Sequence, residues 1–260
     1  MFADIGVAVK AAHEAALAES LPRSPIACSS TLPADTAYRM LLNLANAKQI
    51  HFFILGIAAL GSSFPYSTGC SGTDCCSLGI SGLLQALDRL GISRLAGKLH
   101  CKHVASAESD LRKHPLMLAI QDLSGHSAGH LYDDIAHLSD ETPHYDYIQK
   151  ELSSSNELVK LFIAGFSCVV VSRLNPNQQS ASSRTCILNE TGETGSTFSG
   201  VRAFHRARRN AGLCGAILEN VPALRDNCQH LKCIASLDED GYVCTDCTPQ
   251  RRDTTLRSHS

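Results

Sequence analysis

Tryptophan is absent from the sequence and aromatic residues make up only 5% of it, so the core is expected to be mostly aliphatic. Neither sign of charge is in excess: 23 Lys and Arg face 25 Asp and Glu, for a formal charge of −2. That balance excludes a globally basic nucleic-acid binder, though not a local basic face. The longest apolar run, residues 52–60, is about half of a membrane span, so no membrane partner is expected. No basic-then-apolar leader follows Met1, and twelve cysteines in 260 residues fall short of a short disulfide scaffold at roughly 8–10%. These absences point to a reduced, intracellular, soluble protein. What is there is enough to build a core: 44% of the residues are apolar and the mean hydropathy is −0.03.

Three regions differ in pattern. Residues 1–60 read as an N-terminal helical extension. Ile5, Val9, Ala12 and Ala16 recur at helical spacing, a Ser/Pro-rich break covers 21–33, and Asp35 can cap a second helix. Residues 61–247 alternate strand and helix patterns. A small-residue turn over 67–74 feeds an amphipathic helix with Ile80, Leu83, Leu84, Leu87 and Leu90, and short strands are expected at 103–107, 158–164 and 216–218. Strands alternating with helices argue for an α/β fold with an open, mostly parallel sheet. Residues 175–199 are polar and Gly/Ser/Thr-rich and read as one long functional loop, and residues 248–260 as a disordered tail.

Each candidate for chemistry follows an expected strand, where open parallel sheets bind their ligands. Gly69, Cys70, Ser71 and Gly72 form a glycine turn that brings backbone N–H groups close to a ligand, or that simply turns the chain. Glu108 ends the next strand and is either an acceptor for ribose hydroxyls or a solvated strand-end carboxylate. Asp133 and Asp134 can bond an exocyclic amine or cap a helix. Cys168 leaves the apolar strand at a loop edge, the place for a nucleophilic thiolate, although most single cysteines are inert core residues. Glu219 leaves another strand, and burial there would raise its proton affinity enough for it to act as an acid. Cys75 and Cys76 read as core. Arg202, His205, Arg206, Arg208 and Arg209 on one helix form either a phosphate-contacting patch or a solvated face.

In this order the pieces resemble the motifs of the cytosine-5 methyltransferases that use S-adenosylmethionine (AdoMet). Residues 67–72 resemble the cofactor loop, Glu108 the ribose-binding acid, and Asp133-Asp134-Ile135 the adenine-side motif. Residues 164–172 resemble Gly-Phe-Pro-Cys-Gln-x-x-Ser with Cys168 and Ser172 in register, and Glu219-Asn220-Val221 matches its motif residue for residue. The resemblance covers about residues 64–222. It implies a Rossmann-like AdoMet-dependent methyltransferase fold and a DNA substrate, with RNA the nearest alternative. It also implies Cys168 as the nucleophile at cytosine C6, Glu219 acting at N3, and Ser172 and Asn220 at the substrate. A nuclear location follows from the DNA substrate. The target base has to leave the duplex stack, and the 175–199 loop would close over it.

The sequence departs from the family pattern at named positions. Pro65, Ser67 and Ser71 replace the usual acidic, aromatic and glycine residues around the cofactor loop. Ser167 stands in place of the proline before the nucleophile, and Val169 in place of the glutamine after it. Arg252 falls in register with a late Gln-x-Arg-x-Arg motif, with eight residues after it. The resemblance therefore implies a chain truncated before target recognition, which a partner protein would supply, or a catalytically inactive AdoMet-binding remnant. A different reading joins Cys228, Cys233, Cys244 and Cys247 into a zinc-stabilised interaction module.

Overall fold

The computed structural model describes residues 35–38, 63–70, 72–89, 100–139, 141–155, 157–178, 180–221, 224, 233–235 and 237. Most of the expected 1–60 extension, the 248–260 tail, Ser71, Arg252, Cys228, Cys244 and Cys247 lie outside the described residues.

The elements run β1 (Ser63–Gly69), α1 (Cys75–Arg89), β2 (His100–Ala107), a 3-10 turn (Leu111–Lys113) and α2 (His114–Ser124). There follow β3 (His130–Tyr132), a second 3-10 turn (Ile135–Leu138), β4 (His144–Asp146) and β5 (Glu151–Ser153). The last described elements are β6 (Leu161–Gly165), α3 (Ala181–Thr185), α4 (Gly192–Arg209) and β7 (Gly215–Glu219). Five strands make one sheet in the order β3-β2-β1-β6-β7, and every pairing in it is parallel. β4 and β5 form a separate antiparallel hairpin. The α/β reading with a mostly parallel sheet holds.

β1 is the strand from which the sheet grows both ways, outward through β2 and β3, then outward through β6 and β7. The boundary between β1 and β6 is therefore the switch point, where the connections diverge and leave a crevice at the carboxyl ends. The glycine turn follows β1 and the Cys168 loop follows β6, so the two flank it.

The faces of the sheet differ. On the α4 side the core is aromatic, with Phe162 stacked on Phe204 at 4.1 Å and Phe166 tilted against Phe198 at 5.2 Å. Tyr66, Tyr132, Phe162, Phe198 and Phe204 are among the largest fully buried side chains. The core is mostly aliphatic, as expected: of the buried hydrophobic residues described only Phe64, Tyr66, Tyr132, Phe162, Phe166, Phe198 and Phe204 are aromatic, and these few rings sit at its centre, where each removes the most apolar surface from water.

The face under α1 and α2 carries a polar network among apolar side chains, with Ile80, Ala86 and Leu87 of α1 and Met117 of α2 also buried. The β1–β2 register slips between Tyr66 and Ser67. This bulge lets His103 and Ser106 face the same side although they are three residues apart. His103 stacks on Tyr66 at 4.4 Å. Its Nδ1–H donates to the His126 carbonyl at 3.1 Å, because a carbonyl can only accept, leaving Nε2 to accept from the Ser106 hydroxyl at 3.0 Å. Gln121 of α2 donates to Asp74 at 2.7 Å and to Ser106 at 3.0 Å, tying helix, turn and strand together.

Two local expectations are corrected. The turn expected over 67–74 is shorter, because β1 continues through Gly69 and pairs on both sides to that residue. The loop expected over 175–199 contains α3 and the first turns of α4. Helix propensity there is poor, but close packing favours small residues: a Cβ at Gly195 would overlap the Cys186 carbonyl and one at Gly200 would overlap Ile135.

Candidate functional site

Gly69 ends β1 where nothing larger fits, since a Cβ there would lie 2.8 Å from Ile135 Cδ1 and 2.9 Å from Phe162 Cζ. The turn after it is tight, with Cys70, Gly72 and Asp74 all at positive φ. The Cys70 N–H donates to the Ala107 carbonyl at 2.9 Å, which fixes the turn against the end of β2.

Glu108 is buried at 6% exposure, so it is not a solvated strand-end carboxylate. Its Oε2 accepts the Gly72 N–H at 2.8 Å, while Oε1 accepts from the Asp110 N–H at 3.0 Å and from Lys113 at 3.4 Å. The glycine turn and the strand-end acid are thus one unit. Asp134 caps the second 3-10 turn by accepting the Ala136 N–H at 2.8 Å, which is the capping alternative for this residue. Asp133 Oδ1 lies 3.1 Å from His137 Nδ1.

On the other side of the switch point, β6 ends at Gly165. A Cβ on Gly165 would lie 3.2 Å from Glu219 Oε2 and 3.7 Å from the Cys70 carbonyl. The ends of β1, β6 and β7 therefore converge on one glycine, three residues before Cys168. Cys168 is half-buried, and its carbonyl accepts the N–H groups of Val171 and Ser172 at 3.1 and 2.8 Å, closing a turn directly after the thiol. The Ser172 hydroxyl accepts the Leu174 N–H at 3.2 Å. Asn220 donates to the Phe166 carbonyl at 2.8 Å, so it braces the Cys168 loop from β7.

Glu219 departs from expectation. It is exposed, and β7 is the edge of the sheet among the described residues. The burial that would make it a strong proton donor is not present. Cys75 is also exposed rather than core, while Cys76 is half-buried.

Around Cys70 carboxylates outnumber cations. Burial pushes the Cys70 thiol up to about 12, and the carboxylates of Glu108, Asp134 and Glu193 add to the rise while Lys113 opposes it. Glu193, on the first turn of α4, falls in the segment Gly192-Glu193-Thr194-Gly195, which from sequence reads as part of the closing loop. The basic helix is split: Arg208 donates to the carbonyls of Leu138 and Ser155, Arg202 pairs with Glu190 at 3.7 Å, and His205 is buried edge-on to Phe162. Arg206 and Arg209 are exposed.

Of the four cysteines in the zinc reading only Cys233 is described. It sits in the core near Cys186, and burial pushes its thiol up to about 12. Among the described residues no cluster of three or more His, Cys, Asp or Glu can hold a metal ion, and no helix is long and apolar enough to cross a membrane. Comparison with known protein families, curated proteins and solved structures finds no match to the chain.

Proposed function

We propose that the chain is an AdoMet-dependent cytosine-5 methyltransferase core of Rossmann-like type acting on DNA, which goes with a nuclear location. The observation that carries this reading is the convergence of the Cys70 turn, the Cys168 loop and Glu219 at Gly165, beside the switch point. The donor set fits the cofactor. A dinucleotide would bring its pyrophosphate to the Gly72 N–H, which Glu108 already occupies, and into the field of Glu108, Asp134 and Glu193. A phosphate-free nucleoside carrying a sulfonium cation and an ammonium group suits that field. Glu108 would hold its ribose, with the turn at 69–72 and Asp133 and Asp134 around its adenosyl end. AdoMet supplies, when bound, an electrophilic methyl group.

The residues of the chain do the rest. The thiolate of Cys168 adds to C6 of the cytosine, which makes C5 nucleophilic, and Glu219 meets the charge that develops at N3. After C5 has been methylated, loss of the C5 proton expels Cys168 and restores the aromatic ring. Ser172, Asn220 and Arg252 would stand at the substrate, with a partner protein supplying target recognition.

An inactive AdoMet-binding chain is the second reading. It is favoured by the exposure of Glu219 and by Val169, exposed where the resemblance has glutamine. RNA is the variant substrate, and a zinc-stabilised module would rest on cysteines of which Cys233 alone is described. Covalent trapping separates these. With AdoMet and DNA containing 5-fluorocytosine, the wild-type chain should form an adduct stable to denaturation, and Cys168→Ala should form none. AdoMet binding with no adduct on either DNA or RNA would establish the inactive reading instead.

A further inference from the structure

We propose that the first turn of α4 is a latch for the loop carrying Cys168, with Glu193 and Ser167 as its positioning pair. The inference rests on the reading of Cys168 as the nucleophile, but its geometry stands independently.

Residues on both sides of the thiol are held from α4. The Ser167 N–H donates to Thr197 Oγ1 at 3.1 Å, and the Ser167 hydroxyl donates to Glu193 Oε1 at 2.7 Å. Three residues on, the Val170 N–H donates to Thr194 Oγ1 at 3.1 Å. The hydroxyl protons have acceptors of their own, for Thr197 the carbonyls of Glu193 and Thr194. Thr197 gives its proton to the Glu193 carbonyl at 2.7 Å, so a lone pair is left to accept from Ser167. Ser167 gives its proton to Glu193, so its oxygen can accept the Val169 N–H at 3.4 Å. Apolar contacts back the polar ones, with Phe166 packed on Phe198.

The latch explains a departure of this sequence from the family it resembles. A proline before the nucleophile fixes the backbone through its ring and has neither an N–H nor a hydroxyl. Ser167 lacks the ring, and its N–H and its hydroxyl are the two groups that bond to α4. Here hydrogen bonds do what the ring would do. The segment expected to be a closing lid instead contributes, in its helical part, the fixed support of the nucleophile.

The test uses the full chain with iodoacetamide as the thiol probe, reading alkylation of the Cys168 peptide by mass spectrometry. Releasing the latch should raise the rate at Cys168 by about threefold or more in Ser167→Ala and in Glu193→Ala, the factor set by loss of one ordinary hydrogen bond. Glu193→Gln keeps an acceptor oxygen and should restore the wild-type rate, which a general loosening of the helix would not do. Alkylation of Cys101, half-buried on β2, should stay unchanged and thereby report intact folding. Should Glu193→Ala fail to fold, Ser167→Ala, which removes one hydroxyl, decides alone. An unchanged or slower rate in Ser167→Ala, or a Glu193→Gln protein that behaves like the alanine variant, overturns the latch. Trapping on 5-fluorocytosine DNA is run in parallel and should slow in the alanine variants. No trapping by the wild type would remove the methyltransferase reading while the alkylation comparison still decides the latch.

Discussion

Glu108 and Glu219 each end a parallel strand of one sheet, and their neighbours give them different characters. Glu108 is enclosed by the Gly72 and Asp110 N–H groups and Lys113, so its charge is held in place and satisfied before any ligand arrives. Glu219 stands exposed at the edge of the described sheet. Both acids could be found in the sequence because strand ends are easy to locate from apolar runs. Their burial could not, because it depends on segments far away in the chain: Gly72 lies 36 residues before Glu108. If the crevice takes AdoMet, Glu108→Gln should weaken binding by about tenfold, the scale of one charge-assisted hydrogen bond. Titration calorimetry with AdoMet checks this. Unfolding of the same variant by urea should also show a loss, of about 1–3 kcal/mol, because the amide oxygen can still accept the Gly72 N–H but the amide NH2 would face the Asp110 N–H and Lys113, which are donors.

Among the elements, α4 was the least legible. Its first half, Gly192 to Gly200, carries three glycines and several hydroxyl residues, a composition that local propensity assigns to loop. Only its second half is expected as helix, as the carrier of the basic residues, and there Val201, Phe204 and His205 form a buried stripe. β6 was legible because a strand inside a parallel sheet reads as an apolar run. The helix extends toward its N-terminus because glycine allows close approach to the Cys186 carbonyl, a long-range contact that no local pattern encodes. This gives two opposed expectations for Gly195→Ala. Propensity alone would stabilise the helix by about 1 kcal/mol. The Cβ would instead meet the Cys186 backbone, with its carbonyl carbon at 2.9 Å, so the substitution should destabilise by about 3 kcal/mol, the upper range for overpacking. Urea denaturation decides the sign. Ser196→Ala, at the next position and exposed, is the control and should be neutral or slightly stabilising.

At the scale of the whole molecule, the two faces of the sheet should respond differently to acid. The α4 face is aromatic and carries His205 alone among the described histidines at its centre, whereas the α1–α2 face buries His103 within a polar network. Burial holds the proton affinity of His103 below its ordinary value, with the Asp74 carboxylate 3.9 Å away opposing but not reversing the effect. His126, partly buried, is lowered for the same reason. A depressed histidine pKa means that below about 6.5 the unfolded chain takes up protons that the folded chain refuses. Stability is then fully present above that value and declines as the pH falls, by up to about 1.4 kcal/mol per pH unit for a fully buried histidine. Asp146 adds to the loss at lower pH. Burial alone would raise its pKa, but the N–H groups of Leu131 and Ile148, with His130 and Ser153, hold it below the usual carboxylate range. Its contribution is present above about 3.9 and is lost as the pH falls through its folded value. Urea midpoints should therefore drop between about pH 7.5 and about pH 5.5, ahead of any carboxylate titration. His103→Gln keeps hydrogen-bonding groups but cannot titrate, so it should start from a lower stability and flatten that dependence. An equal slope in His103→Gln would show that His103 is not the titrating group and pass the role to His126, which lies against the same Tyr66.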